Sequence, residues 1–489
     1  MKIFVQGPVS TYEFENLARM FFPGAQITQQ PGEARRSCVV VRIPGKQVPR
    51  TGGRILVGLR NAGGLHWECG RLQAAEKAEY EGCCLLFGLL RRVTGIQPPW
   101  GMLTGVRPVR LVHNELDKGM TEEQAAQHLR STFGVSEKKL SLAVQTAHNQ
   151  RRWVESVRPE DYSLYISIPF CPSRCSYCSF VSRTIENSRD LVQPYVDTLC
   201  RELVAIADQA QRFGLNLRTV YMGGGTPTSL SAAQLRTVMQ CIRDHFPLES
   251  ALEYTVEAGR PDCTDEEKLA VIKELGADRI SINPQTLQDP VLKNIGRRHS
   301  AQDILDCFAA ARRVGHSNIN MDLIAGLPGD TVAGFDDTLQ KVLALRPENV
   351  TVHTLTLKRA SNLVIEDRAA AYDDVAAMVE HCAAITDAGY QPYYLYRQKG
   401  TLQNLENTGF CLPGKEGLYN IYIMEELHSI FSAGAGGVTK LKAADGKKLE
   451  RIFNFKYPLE YVRDFDAILK KKEGAESFYG SEMDSKTTG

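Results

Sequence analysis

Six times between Ser163 and Leu355 a short apolar run gives way to an amphipathic stretch, and this alternation limits the fold more than any other feature of the chain. Ser163–Ile168, Thr219–Met222, Leu252–Glu257, Arg279–Ile282, Asn318–Ile324 and Asn349–Leu355 read as strands. Between them, Asp190–Gln211 sets Leu191, Tyr195, Leu199, Leu203 and Ile206 on one helical face. Ala232–His245, Asp265–Leu275, the stretch up to about Val314 and Phe335–Leu345 read as helices too. Strands in such a series lie parallel in an α/β sheet, open or curled into a partial barrel, with ligands at their carboxyl ends.

The first strand runs straight into three thiols, Cys171, Cys175 and Cys178, spaced C-x3-C-x2-C. One tight loop lets three thiolates converge on a single inorganic centre. A structural zinc site takes four protein ligands, as does a fully ligated iron–sulfur cube, so three leave one iron of a four-iron cluster open. The alternatives are a zinc knuckle with a distant fourth ligand, or three ordinary buried cysteines. The second strand ends in Gly223-Gly-Gly-Thr-Pro227, where bare backbone offers N–H and C=O groups to a ligand, or simply turns. Glu257, Gln285 and Asp322 leave the third, fourth and fifth strands. They suit the hydroxyls and ammonium of a ligand at the strand ends; capping or loop hydrogen bonding is the bland reading of each one alone.

Residues 1 to about 155 read as a separate α/β module, with strands at Lys2–Gln6, Cys38–Ile43 and Arg54–Leu59 and helices at Tyr12–Phe21 and Ala74–Arg92. The Pro98–Pro108 loop carries Trp100 and Arg107, which suit packing better than substrate contact. Two helical patterns, near 122–133 and 137–155, lead to a short linker at 156–162. Beyond residue 369 come a helix to Ala388, an aromatic run at 390–398, a basic amphipathic helix at Pro458–Glu473 and a polar, frayed tail from Glu476. The aromatic run reads as an ordinary strand, or as a tetrapyrrole-lining face with Arg397. Lys+Arg 58 against Asp+Glu 57 gives no whole-chain footprint for nucleic acid. No apolar run is long enough to span a bilayer. Thirteen scattered cysteines suit a reducing cytoplasm better than a disulfide framework.

The cysteine loop after a strand, followed by Gly-Gly-Gly-Thr-Pro, resembles the radical S-adenosylmethionine (SAM) superfamily, in its coproporphyrinogen-dehydrogenase-like branch. The resemblance covers roughly residues 163–440 by motif, and the front module with Leu103-Thr-Gly-Val-Arg-Pro108 resembles the HemZ-type subgroup. It implies a partial (β/α)6 barrel over 163–400, preceded by an accessory α/β domain over 1–155 and followed by a substrate-cover region and tail over 401–489. It also implies a [4Fe–4S] cluster on Cys171, Cys175 and Cys178. SAM would be held by Tyr165, Tyr177, Gly224, Gly225, Thr226, Glu257, Gln285, Arg297 and Asp322. The implied activity is oxygen-independent dehydrogenation of coproporphyrinogen III in the cytoplasm. Propionates would become vinyl groups to give protoporphyrinogen IX, with electrons from a partner such as flavodoxin or ferredoxin. Lys358, Arg359 and Arg397 are the expected cations for the tetrapyrrole's propionates.

Two departures from the pattern keep alternatives open. Phe180 stands where the best-established coproporphyrinogen enzymes carry a fourth cysteine. The H-N-x-x-Y-W string of the heme-chaperone relatives is missing, the nearest stretch being Tyr419-Asn-Ile-Tyr422. A heme-binding chaperone, or a radical enzyme acting on heme or another anaerobic substrate, are the other readings.

Overall fold

The computed structural model describes residues 1–29, 38–43, 53–105, 107–180, 182–358, 360–365, 373–446 and 448–487. The chain divides into two compact units. The first is Met1–Val144 with Arg397–Lys399 and Gln403–Leu405; the second is Gln145–Tyr396 with Gly400–Leu402 and Glu406–Gly489. The division falls inside the helix Glu137–Glu155.

In the first unit β1 (Lys2–Gln6), β2 (Gln26–Ile27), β3 (Cys38–Arg42), β4 (Arg54–Asn61) and β5 (Gly64–Arg71) form a sheet in the order β2-β1-β3-β4-β5. Val39 and Val41 of β3 and Ile55, Val57 and Leu59 of β4 alternate onto one face. Phe14 and Leu17 of helix Thr11–Phe21 and Leu86 and Leu90 of helix Ala78–Thr94 cover that face. Trp100 is buried, as the packing reading of its loop expects. The Arg397 guanidinium lies 5.6 Å from its ring centre. Arg397 donates to the carbonyls of Leu103 at 2.5 Å, Gly105 at 3.4 Å and Asn404 at 3.1 Å. This corrects its assignment as a propionate ligand: the charge is buried in the first unit, and main-chain oxygens take its donors.

The second unit is built on β6 (Asp161–Ile168), β9 (Asn216–Gly224), β10 (Glu253–Glu257), β11 (Arg279–Ser281), β12 (Ile319–Ala325) and β13 (Asn349–Thr354), all parallel. A separate short pair, β7 (Phe170–Cys171) and β8 (Arg183–Thr184), frames the cysteine loop. β14 (Gln391–Arg397) and β15 (Glu406–Cys411) extend the main sheet beyond β13. On its other side β16 (Ser429–Ala433) lies parallel to β6, followed by β17 (Val438–Lys442) and β18 (Leu449–Phe453). Residues beyond 401 therefore supply β15 to β18 of the same sheet.

The helices start where capping residues dictate. Ser231 with Gln234, and Ser300 with Asp303, make capping boxes, and Asp265 and Thr331 cap with their side chains. Along the parallel strands the side chains alternate. Leu164, Ile166, Val220, Met222, Val256, Ile280, Met321 and Val350 are buried on the outer, helix-covered face. The opposite face, inside the partial barrel, is buried but polar. There Ser163 and Thr219 hydroxyls pair at 2.6 Å, and Asn320 Nδ2 donates to Ser281 Oγ at 3.2 Å and Asp322 Oδ1 at 2.7 Å. Hydrogen bonds of this kind between the lining side chains rigidify the barrel.

Two expectations near the C-terminus change. The described part of the expected helix to Ala388 is two short helices, Val375–Glu380 and Ala383–Asp387. The expected helix Pro458–Glu473 breaks at Asp464 into Pro458–Arg463 and Phe465–Thr487, so the tail is helical where a frayed end was expected. No helix among the described residues is long and apolar enough to cross a membrane.

Candidate functional site

The cysteine loop leaves the end of β6 at the carboxyl end of the barrel. Its shape is set by the second strand's glycines. Gly225 N donates to Ile168 O at 2.7 Å, and Thr226 N to Phe170 O at 2.8 Å. A Cβ on Gly225 would meet Phe170 O at 2.6 Å and Cys171 Sγ at 3.0 Å, so only glycine admits this approach. Gly224, at φ +105°, ends β9 beside it. Thr226 Oγ1 points at Cys171 Sγ, 3.6 Å away. Burial pushes the Cys171 thiol up, and the Cys178 thiol up to about 11. Among the described residues no three His, Cys, Asp or Glu side chains are placed to hold one metal ion. A four-iron cube takes each thiolate on a separate iron, so its ligands stand further apart.

A set of charges that spacing did not reveal surrounds the loop. Arg260 Nη1 lies 3.3 Å from Cys175 Sγ, and Nη2 donates to Ser173 Oγ at 2.9 Å. Asp262 grips the same guanidinium at 2.9 and 2.6 Å, and His299 Nδ1 stands 3.8 Å from Asp262. Burial alone would raise the Asp262 carboxyl, but hydrogen bonds with His299 and Arg260 hold it well below the usual carboxylate range. Arg297 Nη1 donates to Asn283 O at 2.6 Å, and Nη2 reaches Tyr177 Oη at 3.4 Å, while its buried Nε has no partner. The structure thus brings Arg297 and Tyr177 together.

The remaining expected residues line the polar inner face. Tyr165 on β6 stacks with Tyr221 on β9 and with Tyr419, their ring centres 6.2 and 6.0 Å from its own; Tyr221 and Tyr419 are 4.5 Å apart. Tyr221 Oη donates to Glu257 Oε1 at 2.6 Å. Burial pushes the Glu257 carboxyl up to about 7; the Tyr221 hydrogen bond opposes this and the nearby Asp322 charge adds to it. For Asp322, burial is outweighed by His353, 3.8 Å away, and by Asn320, so its carboxyl stays below the ordinary range. Gln285 sits at φ +65°, costly by about 1–3 kcal/mol for a residue with a side chain. Its N–H donates to Asp322 O and its carbonyl accepts from Ile324 N, both at 2.9 Å. The side-chain oxygen, Oε1, is buried with no partner.

Tyr221, Tyr419, His353 and Arg260 are the site residues that sequence reasoning missed. Tyr221 shares the inward period-two face with Gly223, which was a usable signal. Tyr419 is held at the barrel in part by Glu253 on β10, which accepts the first N–H groups of helix Leu418–Glu425, at 2.5 Å from Leu418 and 3.3 Å from Tyr419. No local pattern shows that. Of the expected cations, Lys358 is exposed with its Nζ 6.0 Å from the centre of the Phe180 ring, and Arg359 lies outside the described residues.

The residues present fit an anionic cluster and a charged nucleoside ligand. Three thiols share one loop with a guanidinium on the middle sulfur. Beyond it, Gln285 Oε1 and Arg297 Nε are buried without a partner, and the inner face offers the Glu257 and Asp322 carboxyls.

Comparison with known proteins agrees. Residues 165–342 match the family model of the radical SAM superfamily. The chain is 40% identical over 391 residues to the oxygen-independent coproporphyrinogen-III oxidase-like protein HemZ of Bacillus subtilis, covering 78% of each chain. It is 33% identical over 280 residues to the heme chaperone HemW of the same organism, covering 56% of this chain and 70% of that one. The structure of coproporphyrinogen III oxidase (HemN) from Escherichia coli superposes with a TM-score of 0.51 at 22% identity, over 66% of this chain and 72% of that one, and so shares the fold. Members of the superfamily bind a [4Fe–4S] cluster and SAM, which are the cofactors expected from the sequence. With barrel, cysteine loop and whole-chain similarity in agreement, the chain belongs to the radical SAM superfamily, among its HemZ-type, coproporphyrinogen-III oxidase-like proteins.

Proposed function

We propose that the protein is an oxygen-independent coproporphyrinogen III dehydrogenase whose cluster is held by Cys171, Cys175 and Cys178. The observation that carries this reading is the 40% identity to the HemZ protein across 78% of both chains. Each of the two propionates that react would lose a hydrogen atom, carbon dioxide and one electron, the electron passing to a separate one-electron acceptor, to become a vinyl group. When bound, cluster and SAM supply the hydrogen-abstracting radical; the protein's part is to bind, orient and exclude water. Glu257 and Asp322 would take SAM's ammonium and ribose hydroxyls, and Gln285 Oε1 would gain the donor it lacks. Arg297 would meet the carboxylate, Tyr177 the adenine, and Tyr165, Gly224, Gly225 and Thr226 the methionyl end. Lys358 is the described cation left for a propionate.

The test is anaerobic turnover by reconstituted protein with SAM, a one-electron reductant such as flavodoxin, and coproporphyrinogen. Protoporphyrinogen and carbon dioxide should form. The second reading, a heme chaperone, is favoured by the HemW similarity. Stoichiometric heme binding with no protoporphyrinogen formed, under conditions where SAM is cleaved, would decide for it.

Glu257 also makes the proposal testable by pH. Its folded-state pKa of about 7 lies above the ordinary value of 4.5, so this group's own contribution to the stability of the ligand-free protein is fully present below pH 4.5 and is lost as pH rises through 7. A cationic ammonium requires the ionised carboxylate. SAM affinity should therefore tighten about tenfold between roughly pH 6 and 8, as a titrating group near pH 7 dictates. Glu257→Gln should abolish that slope and weaken binding at the upper pH by about tenfold or more, the worth of one charged hydrogen bond. Calorimetry showing wild-type affinity and slope in the variant would remove Glu257 from the SAM site.

A further inference from the structure

Arg260 stands apart from the residues assigned to SAM. Its side chain is 5% exposed, and a buried cation needs a partner. Asp262 satisfies that need with two hydrogen bonds, to Nε and Nη2, which fix the plane of the guanidinium. Ser173 Oγ takes a second bond from Nη2. The nitrogen left over, Nη1, is aimed at Cys175 Sγ, 3.3 Å away. An ion pair serving only stability had no need to direct that last donor at a thiol. The backbone fixes the aim: Arg260 is extended and Pro261 begins the 3-10 turn Pro261–Cys263, which brings Asp262 back onto the side chain.

We propose that Arg260 is a positioning residue for the iron–sulfur cluster, whose guanidinium, pointed at the Cys175 sulfur, raises the cluster's reduction potential. The inference rests on the cluster being held by the three cysteines, as proposed above. Reduction adds one electron and one negative charge to the cluster, breaks no bond, and takes its electron from a low-potential one-electron donor. A fixed cation and a hydrogen bond at a ligating sulfur stabilise the reduced form more than the oxidised one. Asp262 holds the guanidinium in place while compensating its charge only in part, because its carboxyl faces Nε and Nη2 and leaves Nη1 to the sulfur.

The experiment is a dithionite titration of the full-length reconstituted protein without SAM, read by the EPR signal of the reduced cluster, for wild type, Arg260→Gln and Arg260→Lys. At the potential that half-reduces the wild type, Arg260→Gln should show about a tenfold lower ratio of reduced to oxidised cluster, which is 59 mV for a one-electron couple. Arg260→Lys keeps the charge without the fork and should fall between. Equal ratios in all three proteins at equal iron content overturn the proposal, because a purely structural role leaves the potential unmoved. Should Arg260→Gln hold no cluster, Arg260→Lys decides: a lowered ratio supports the proposal and the wild-type ratio overturns it. A wild type that takes up no cluster overturns the cluster assignment itself, an outcome distinct from a normal cluster whose potential ignores Arg260.

Discussion

Replacing Cys171, Cys175 or Cys178 by Ala should each abolish reductive SAM cleavage, with iron per chain falling far below the wild-type level after anaerobic reconstitution. A three-thiolate site has no spare ligand, so a single loss leaves two irons anchored and the cluster open to loss. The fold should survive. The loop is held by main-chain bonds from Gly225 to Ile168 and from Thr226 to Phe170, and by Ser176 N to Ile295 O at 2.9 Å, none of which uses a thiol. Near-wild-type circular dichroism and melting of the cluster-free variants would verify this. Cys200 lies on helix Arg189–Arg212, away from the loop, and Cys200→Ala should keep full iron content. Full cluster absorbance and SAM cleavage in the triple variant would end the cluster assignment.

The cysteine loop was legible because its chemistry is local: three ligands in eight residues declare themselves without a fold. The parallel strands were legible for a related reason. Each is apolar on its outer face and bounded by a capped helix, so period and caps mark it. What the strands enclose was less so. Glu257 and Asp322 stood out because acids at strand ends are unusual, but Tyr221 and His353 are ordinary strand residues until the curl of the sheet turns them inward. Gln285 stood out, like the two acids, by leaving a strand end; its left-handed backbone, imposed by pairing with β12, has no sequence signal. Arg397 shows the opposite error. A cation among tyrosines looked like a ligand for propionates, yet it serves carbonyls of the first unit, a partner some 290 residues away in sequence that no pattern announces. The C-terminal strands escaped for the same reason. β16 pairs with β6 across more than 260 residues, and its short run Ser429–Ala433 ends in a glycine turn that reads equally well as a loop.

That glycine turn depends on one buried carboxylate, and removing it should cost several kcal/mol of stability. Glu202, on helix Arg189–Arg212, is fully buried. It accepts from Gly434 N at 2.7 Å, Tyr461 Oη at 2.5 Å and Asn454 Nδ2 at 2.8 Å, and pairs with Lys472 Nζ at 3.0 Å. Gly434, at φ +94°, turns the chain so that Ala435 N reaches Tyr195 Oη at 2.9 Å, and Tyr195 in turn donates to Ser167 O at 2.7 Å. Ser167 is four residues before Cys171, so the clamp ties the far C-terminal helix to the root of the cysteine loop. In Glu202→Ala the Lys472 charge stays buried without a counter-ion, Gly434 N and Tyr461 Oη lose their acceptor, and Asn454 Nδ2 keeps only its bond to Gly434 O, at 2.9 Å. Breaking a buried pair from one side costs about 3–5 kcal/mol, equivalent to a fall of roughly 4–7 °C in Tm for a unit of this size. Lys472→Met should cost less, because Glu202 keeps its three neutral donors, and adding it to Glu202→Ala should recover part of the loss. Because the clamp holds Ser167, Glu202→Ala should also shed iron faster from the reconstituted protein, whereas a variant that merely loosened the tail would not. A Glu202→Ala protein melting within about 2 °C of wild type would mean that the network contributes little to stability, and unchanged iron retention would sever the link between the turn and the cysteine loop.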